Sequence, residues 1–164
     1  MKLQLHYEHE PALRKTAKPV VKITPKIKRL IDDMFETMYA ANGIGLAANQ
    51  VGVLQRVIVI DLQTKGSKRL ALINPEIIHN DGQQVSSEGC LSCPGLMADV
   101  ARAASVTVTA LDPQGKVQTL EADNLLAAVL QHEIDHLNGV LFIDRLDATQ
   151  RVRVEQQRAS LKQM

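Results

Sequence analysis

The sequence predicts an α+β fold, with antiparallel β-sheets around a central buried helix and a separate helix at the C-terminus. Three features indicate this class. An early segment has apolar residues at helical spacing, the middle of the chain holds short β-branched runs bounded by turns, and residues 125–130 are apolar on every side of a helix. Strands and helices that do not alternate regularly are typical of α+β domains.

The first helix is predicted to begin at Thr24 and Pro25, a capping residue followed by a proline that fits the first turn. One apolar face follows at steps of three and four residues, formed by Ile27, Leu30, Ile31, Met34 and Met38. Asn42 and Gly43 are expected to end this helix, because glycine tolerates the left-handed conformation that a helix end often needs.

The strands are predicted in the middle of the chain. Residues 56–62 and 70–74 are aliphatic or β-branched runs, and residues 80–82 (N-D-G) are typical of a hairpin turn. Residues 106–110 alternate between apolar and threonine side chains, which indicates a strand with one buried face. A turn then leads into a further strand at residues 116–121.

The last two helices follow these strands. Asp123 is expected to cap the central helix, which extends from about residue 124 to residue 138 and ends at Gly139. A third helix is predicted at about residues 149–162, with a polar and only weakly amphipathic sequence. Because no repeat or linker interrupts the pattern, residues 1–164 are expected to form a single domain.

Composition narrows the classes of function. A net charge of +1 predicts no field strong enough to attract nucleic acid or an acidic membrane, so neither DNA nor a membrane is expected as a partner. The two cysteines argue against a disulfide-stapled secreted scaffold, and the N-terminus lacks the pattern of a signal peptide. A reduced, cytoplasmic and monomeric protein is therefore expected.

The central helix carries a candidate metal site in residues 131–136 (Q-H-E-I-D-H). His132 and His136 lie four residues apart, so both imidazoles share one face of the helix and can reach one ion. Glu133 lies roughly 100° further round the helix, beside the ion, where it can take a proton from water. Two histidines at this spacing also occur on ordinary solvated helices, so the pattern alone leaves metal binding open.

The two cysteines allow three interpretations of their role. Cys90 and Cys93 could form a redox pair, or they could join His132 and His136 in a closed structural zinc site of a noncatalytic binding module. Alternatively, Cys90 alone completes an open site with the two histidines, and Cys93 is a buried apolar residue. The open site is favoured, because only it uses Glu133 and leaves a position for water. A zinc peptidase remains a rival, since it shares the H-E-x-x-H pattern.

Three segments together resemble the signature of the peptide deformylases. They are residues 43–50 (G-I-G-L-A-A-N-Q), residues 88–92 (E-G-C-L-S) and residues 131–136 (Q-H-E-I-D-H). The resemblance extends over most of the chain and implies the removal of the N-formyl group from N-formylmethionyl peptides, with release of formate. A paralogue that acts on another small amide is the alternative within this group.

The resemblance also implies a role for each matching residue. Cys90, His132 and His136 would bind one divalent metal, with Fe(II) expected and Zn, Ni or Co able to replace it. Glu133 would act as general base and acid, while Gln50 and the backbone N–H of Leu91 would stabilise the negative charge on the carbonyl oxygen. The remaining expected site residues are Gly43, Ile44, Gly45, Leu125, Ala128 and Val129 around the substrate, and Glu88, Arg102 and Asp135 behind the ligands.

The substrate and supporting residues have specific expected contacts. Residues 43–46 would form an edge strand that pairs with the peptide backbone. The apolar side chains of the expected substrate site would line a pocket for the methionine side chain or simply pack in the core; they are Ile44, Leu125, Ala128 and Val129. Glu88 is expected to hold a ligand histidine by its second N–H. Arg102 and Asp135 are expected to form a buried pair nearby.

The chain departs from the family pattern at three positions. Cys93 stands where an aliphatic residue is usual, Met97 where an arginine helps to bind the substrate backbone, and Asn49 where threonine or proline is usual. No metal ligand is changed, so the metal chemistry is expected to be retained. Peptide preference is the property that these departures put in question.

The C-terminal helix carries an excess of basic residues, namely Arg151, Arg153, Arg158 and Lys162, against a single Glu155. Such a pattern is usually a solvated helix face. In bacterial deformylases a terminal helix is associated with docking on the ribosome, and basic side chains could contact phosphates of ribosomal RNA. Ribosome contact through this helix is therefore an expectation from the resemblance.

Overall fold

A computed structural model describes residues 1–163 and confirms the α+β class. Within these residues the chain forms three α-helices and seven strands. In chain order they are α1 (Pro25–Ala40), β1 (Gly45–Ala47), β2 (Val57–Ile60), β3 (Leu70–Asp81), β4 (Gln84–Cys90), β5 (Cys93–Arg102), β6 (Ser105–Leu111), β7 (Val117–Asp123), α2 (Asn124–Leu137) and α3 (Ala148–Lys162). None of the helices in this part of the chain is long and apolar enough to cross a membrane.

The strands form two antiparallel sheets. Five strands lie in the order β1-β2-β3-β6-β7, and β4 pairs only with β5 in a separate two-stranded sheet. Helix α2 contacts both sheets, and it buries Ala127, Leu130, Ile134 and Leu137 against the five-stranded one. Its burial follows from a first half that is apolar all round. The predicted central helix is therefore confirmed.

Helix α1 begins as predicted, with the Thr24 hydroxyl accepting a hydrogen bond from the Ile27 N–H at 3.4 Å. Its end differs from the expectation, because Asn42 takes the left-handed conformation with φ 59°, and Gly43 has no positive φ. Gly43 serves a spatial need instead: a Cβ there would lie 2.7 Å from Cδ1 of Leu91. The prediction that Gly43 supplies the left-handed residue is wrong.

Helix α2 also begins differently from the prediction. The Asp123 side chain makes no capping hydrogen bond. Asn124 adopts φ 51°, and its N–H donates to the Ala104 carbonyl at 3.0 Å, so the preceding strand connection fixes the helix start. The end is as expected: Gly139 has φ 76°, and a Cβ there would lie 2.6 Å from the Arg14 carbonyl oxygen.

The region around β3 and β4 departs most from the prediction. Strand β3 continues to Asp81, across a register shift between Ile73 and Glu76 at Pro75. Residues 80–82 do not form a hairpin, since β3 pairs with β6 and β4 pairs with β5. The chain instead crosses here from one sheet to the other, with Gly82 at φ 67°.

Helix α3 packs on β5 of the two-stranded sheet. Asp147 caps it, accepting from the Gln150 N–H at 2.8 Å. Val154 is buried in a cluster with Leu96 and Val100 of β5. The helix therefore begins one residue before the predicted position and buries one apolar side chain on an otherwise polar surface.

Candidate metal centre

Three ligand-type side chains converge between β4 and α2. Cys90 ends β4, while His132 and His136 lie one turn apart on α2. The His136 Nε2 atom is 3.3 Å from the Cys90 sulfur and 3.3 Å from Nε2 of His132. All three ligand atoms lie within 4.8 Å of one another. The α-helix produces this pairing because its period places positions four apart on one face.

These separations fit a bound metal ion. Tetrahedral bonds of about 2.0–2.3 Å to nitrogen and sulfur place the ligand atoms roughly 3.3–3.8 Å apart. Cys93 is not part of the cluster, although it is the residue paired with Cys90 in the β4–β5 register. The closed site with two cysteines and two histidines is therefore not formed. Three protein ligands leave a coordination position for water or substrate, which a catalytic site needs.

The two cysteines differ in their ionisation. A hydrogen bond from the Cys93 thiol and the nearby imidazole of His136 outweigh burial and hold the pKa of Cys90 well below its usual range. The same hydrogen bond, together with burial, raises the pKa of Cys93. Cys90 is thus favoured as a thiolate, the form that binds a metal, while Cys93 stays a thiol.

His132 is oriented by Glu88, as the sequence suggested. Its Nδ1 lies 2.8 Å from Oε1 of Glu88, which leaves Nε2 directed at the other ligands. Glu88 in turn accepts two hydrogen bonds from Arg102, at 2.9 and 2.7 Å. Burial alone would raise the pKa of Glu88, but the contacts with Arg102 and His132 outweigh it and lower the pKa to about 2.

Arg102 also links this carboxylate to helix α2. Its third bond, at 2.7 Å, goes to Asp135, which lies between the two histidines in sequence. Asp135 is held from the other side by Arg145 at 2.7 Å. Arg102 is only 6% exposed, whereas Arg145 lies at the surface, so the chain of charges runs from behind the ligands out to solvent. No local pattern in the sequence indicated Arg145, because its partner is ten residues away across a helix end.

Glu133 is buried beside the ligands, and one of its carboxylate oxygens, Oε1, lacks a hydrogen-bond partner among the described residues. Burial raises the pKa of Glu133. Gly45 of β1 lies so close that a Cβ there would be 2.6 Å from Oε2 of Glu133. A buried carboxylate oxygen without a partner is unfavourable unless another molecule supplies one. This oxygen is therefore available to a water or substrate proton.

The Gln50 side chain is aimed at the ligand cluster by the backbone N–H of Ala47. Its Oε1 accepts from the Ala47 N–H at 2.9 Å, so its amide nitrogen faces Ser92 at 3.1 Å and the Cys90 sulfur at 3.5 Å. Sequence reasoning did not identify Ser92 as this partner. Asn49 does not disturb the arrangement, because its amide bonds the carbonyl of His136 and thereby ties the neighbouring turn to the end of α2.

A cavity of about 460 Å³ opens onto these residues. It lies between β1, which pairs only with β2, and β4, which pairs only with β5. All six residues expected around the substrate line it, together with Leu91. They are Gly43, Ile44, Gly45, Leu125, Ala128 and Val129. Two strand edges thus border one cavity whose floor holds Cys90, His132 and Glu133.

A family model for polypeptide deformylase matches residues 2–152. The chain belongs to the peptide deformylase family. The reaction of this deformylase is the removal of the N-formyl group from nascent polypeptides, and its family is one of metal-dependent enzymes. The zinc peptidase alternative, which the H-E-x-x-H pattern left open, is thereby set aside.

Solved structures of other deformylases match nearly the whole chain. The peptide deformylase from Legionella pneumophila is 43% identical, with a TM-score of 0.92 over 99% of this chain and 96% of that one. The enzyme from Synechococcus elongatus, solved in complex with actinonin, is 44% identical, with a TM-score of 0.91 over 96% of this chain and 88% of that one. The enzyme from Thermus thermophilus is 40% identical, with a TM-score of 0.90 over 98% of this chain and 96% of that one.

We predict that the two cysteines respond differently to substitution. Cys90→Ser should lose most of the bound metal, because a serine hydroxyl does not ionise to replace the thiolate. Cys93→Ser should keep about one metal ion per chain and lose some thermal stability, because a hydroxyl group costs more to bury than the thiol that it replaces. Elemental analysis of the purified variants measures the first effect and thermal unfolding the second. Equal metal loss in both variants would contradict the open three-ligand site.

Proposed function

We propose that this deformylase acts through one divalent metal ion bound by Cys90, His132 and His136. The thiolate and two imidazoles suit several first-row divalent ions, including Zn, Ni and Co, and we propose Fe(II) as the physiological one from the family resemblance. When bound, the ion polarises the formyl carbonyl and lowers the pKa of a water molecule. Residues 1–164 would act as one catalytic domain.

Glu133 would move the protons of the reaction. Its buried Oε1 has no protein partner in the part of the chain described, and its pKa is raised by burial. A carboxylate with a raised pKa accepts a proton from water more readily and then donates it to the leaving amine. This unpaired oxygen next to three converging ligands is the observation that supports the proposal most strongly.

Gln50 and Leu91 would stabilise the charge that develops on the formyl oxygen. The Gln50 side-chain oxygen accepts a hydrogen bond from the Ala47 N–H, and this directs the amide nitrogen at the ligand cluster. Leu91 directly follows the ligand Cys90 and lines the cavity. A donor placed at such an oxygen typically contributes about 2.7–4 kcal/mol to the barrier reduction.

An N-formylmethionyl peptide would bind as an additional strand between the two sheets. The free edges of β1 and β4 border the cavity, and an extended peptide can bond to such edges through its backbone. Gly43 and Gly45 carry no side chain to hold the peptide away from β1. Ile44, Leu125 and Val129 would surround the methionine side chain.

We predict that Glu133→Ala abolishes deformylation and retains the metal. Loss of a general acid–base group typically lowers the rate about 10²–10⁴-fold, and Glu133 lies outside the ligand cluster. The measurement is formate release from formyl-Met-Ala-Ser by protein purified anaerobically with Fe(II), together with its metal content.

Two controls make this result specific. The N-acetylated peptide should not be hydrolysed by the wild type, since the reaction is with the formyl group. A Glu133→Ala variant that keeps near wild-type formate release would disprove the proposed role. Metal loss in that variant would show that Glu133 acts as a ligand.

The same proposal places the enzyme in the cytoplasm as a monomer that meets nascent chains at the ribosome through α3. The basic residues of this helix are not equally available. Arg158 pairs with Glu8 and Glu155, and Arg151 donates to the carbonyls of Asp144 and Leu146. Arg153 and Lys162 are exposed, which supports them as contacts for ribosomal RNA phosphates.

We predict that Arg153→Glu combined with Lys162→Glu weakens ribosome binding and leaves hydrolysis of a short formyl peptide unchanged. The introduced glutamates would repel the phosphates that the wild-type cations attract. Because the wild-type contact is between cations and phosphates, its affinity for ribosomes should also fall steeply as the salt concentration rises. Cosedimentation with ribosomes measures binding. Lys65→Glu with Lys68→Glu, an equal change in net charge elsewhere on the surface, is the control. Equal binding by both double variants would refute the contact.

A further inference from the structure

Two large apolar side chains are exposed where the cavity opens. Met97 of β5 is 51% exposed and Leu125 of α2 is 48% exposed, and both line the cavity. Of the described residues that line it, none is a lysine or arginine. A peptide that leaves the cavity beyond its methionine therefore passes two exposed apolar side chains, and no cation lies there to attract a carboxylate.

Met97 is packed closely over the strand that borders the cavity. A Cβ at Gly89 of β4 would lie 2.6 Å from the Met97 sulfur, so only glycine at position 89 permits this placement. The thioether thus covers β4 next to the ligand Cys90. Methionine is flexible and polarisable, so it adapts to apolar side chains of different shapes.

The backbone of Met97 is held by the C-terminal helix. The Gln157 side chain accepts a hydrogen bond from the Met97 N–H at 3.0 Å and donates one to the Met97 carbonyl at 3.0 Å. This single amide takes the place of a neighbouring strand at the outer edge of β5. The position of Met97 over the cavity therefore depends on α3.

We propose that Met97 determines which peptides this deformylase prefers, and that Gln157 is the positioning residue that holds it. The preferred class is formylmethionyl peptides with an apolar residue in one of the two positions after the methionine. The inference rests on the proposed function, since it assumes that formylmethionyl peptides occupy the cavity. It assigns to α3 a role in substrate binding that is separate from any ribosome contact.

The test compares leucine with glutamine, two neutral residues of similar size, in amidated peptides. The pairs are formyl-Met-Leu-Ser with formyl-Met-Gln-Ser, and formyl-Met-Ala-Leu with formyl-Met-Ala-Gln. The wild type should prefer leucine in at least one pair by about 10-fold in kcat/KM, the scale of apolar side-chain discrimination, mainly through KM. Met97→Gln should bring that ratio close to one, and Met97→Leu should preserve it.

Val85→Gln is the matched control, because Val85 is an exposed apolar residue of β4 that does not line the cavity. The Val85→Gln variant should show the same preference for leucine over glutamine as the wild type. A wild type without preference in either pair, or a Met97→Gln variant with an unchanged preference, overturns the inference. Absence of formate release from all four peptides would instead overturn the proposed function.

A second comparison tests Gln157. Gln157→Leu should raise KM for the preferred leucine peptide several-fold and leave kcat unchanged, because Met97 loses both hydrogen bonds. The ratio of kcat/KM for the leucine peptide to that for the glutamine peptide should therefore fall. Gln156→Leu changes the exposed neighbouring residue in the same helix and should have no such effect. Identical kinetic constants in the two variants would show that Gln157 does not position Met97.

Discussion

The candidate metal site is organised around one buried arginine. Arg102 extends from β5 and bonds both Glu88 on β4 and Asp135 on α2. Glu88 then fixes the ring of His132. Cys90 and the two histidines come from elements that share no backbone pairing. The ionic link through Arg102, together with the hydrogen bonds between Gln131 of α2 and the backbone of Ala103, holds the two-stranded sheet against the helix. Buried charges are unfavourable when single, and here each has a partner within 2.9 Å.

Close packing of glycines completes the site. Gly45 gives Glu133 the space that a Cβ would occupy, and Gly43 does the same for Leu91. Strand β1 begins at Gly45 and pairs only with β2, so its other edge is unpaired beside the cavity. The second unpaired edge belongs to β4. The two sheets thus present two unpaired strand edges to one cavity, which is the arrangement that the proposed binding of an extended peptide requires.

Much of the fold and the pairing of the two histidines could be predicted, because both follow from local periodicity. Cys90 lies far from the histidines in sequence, so it was expected only from the choice among the interpretations of the two cysteines and from the family resemblance. The apolar face of α1, the alternation in β6 and the histidine spacing on α2 each need only neighbouring residues. Strands β4 and β5 could not be predicted in this way. Residues 84–90 are mostly polar, and Pro94 and Gly95 interrupt the next run, so their strand character arises from pairing with each other and from packing under α3.

Contacts between distant residues were also beyond local reasoning. The left-handed conformation at Asn124 and the absence of a cap by Asp123 follow from a bond to Ala104. The hold of Gln157 on Met97 joins residues sixty positions apart. Such pairs leave no periodic signal in the sequence, because each partner looks like an ordinary surface residue. They become visible only when the elements are assembled.

The most direct test of this account is the metal affinity of Glu88→Gln, measured by competition with a chelator. The substitution keeps the shape of the side chain and removes the charge that orients His132 and pairs with Arg102. We expect affinity about 10–100-fold weaker than in the wild type, while Glu121→Gln, an exposed acid on β7, leaves it unchanged. Unchanged affinity in Glu88→Gln would show that the ligands hold their geometry without the buried charge network.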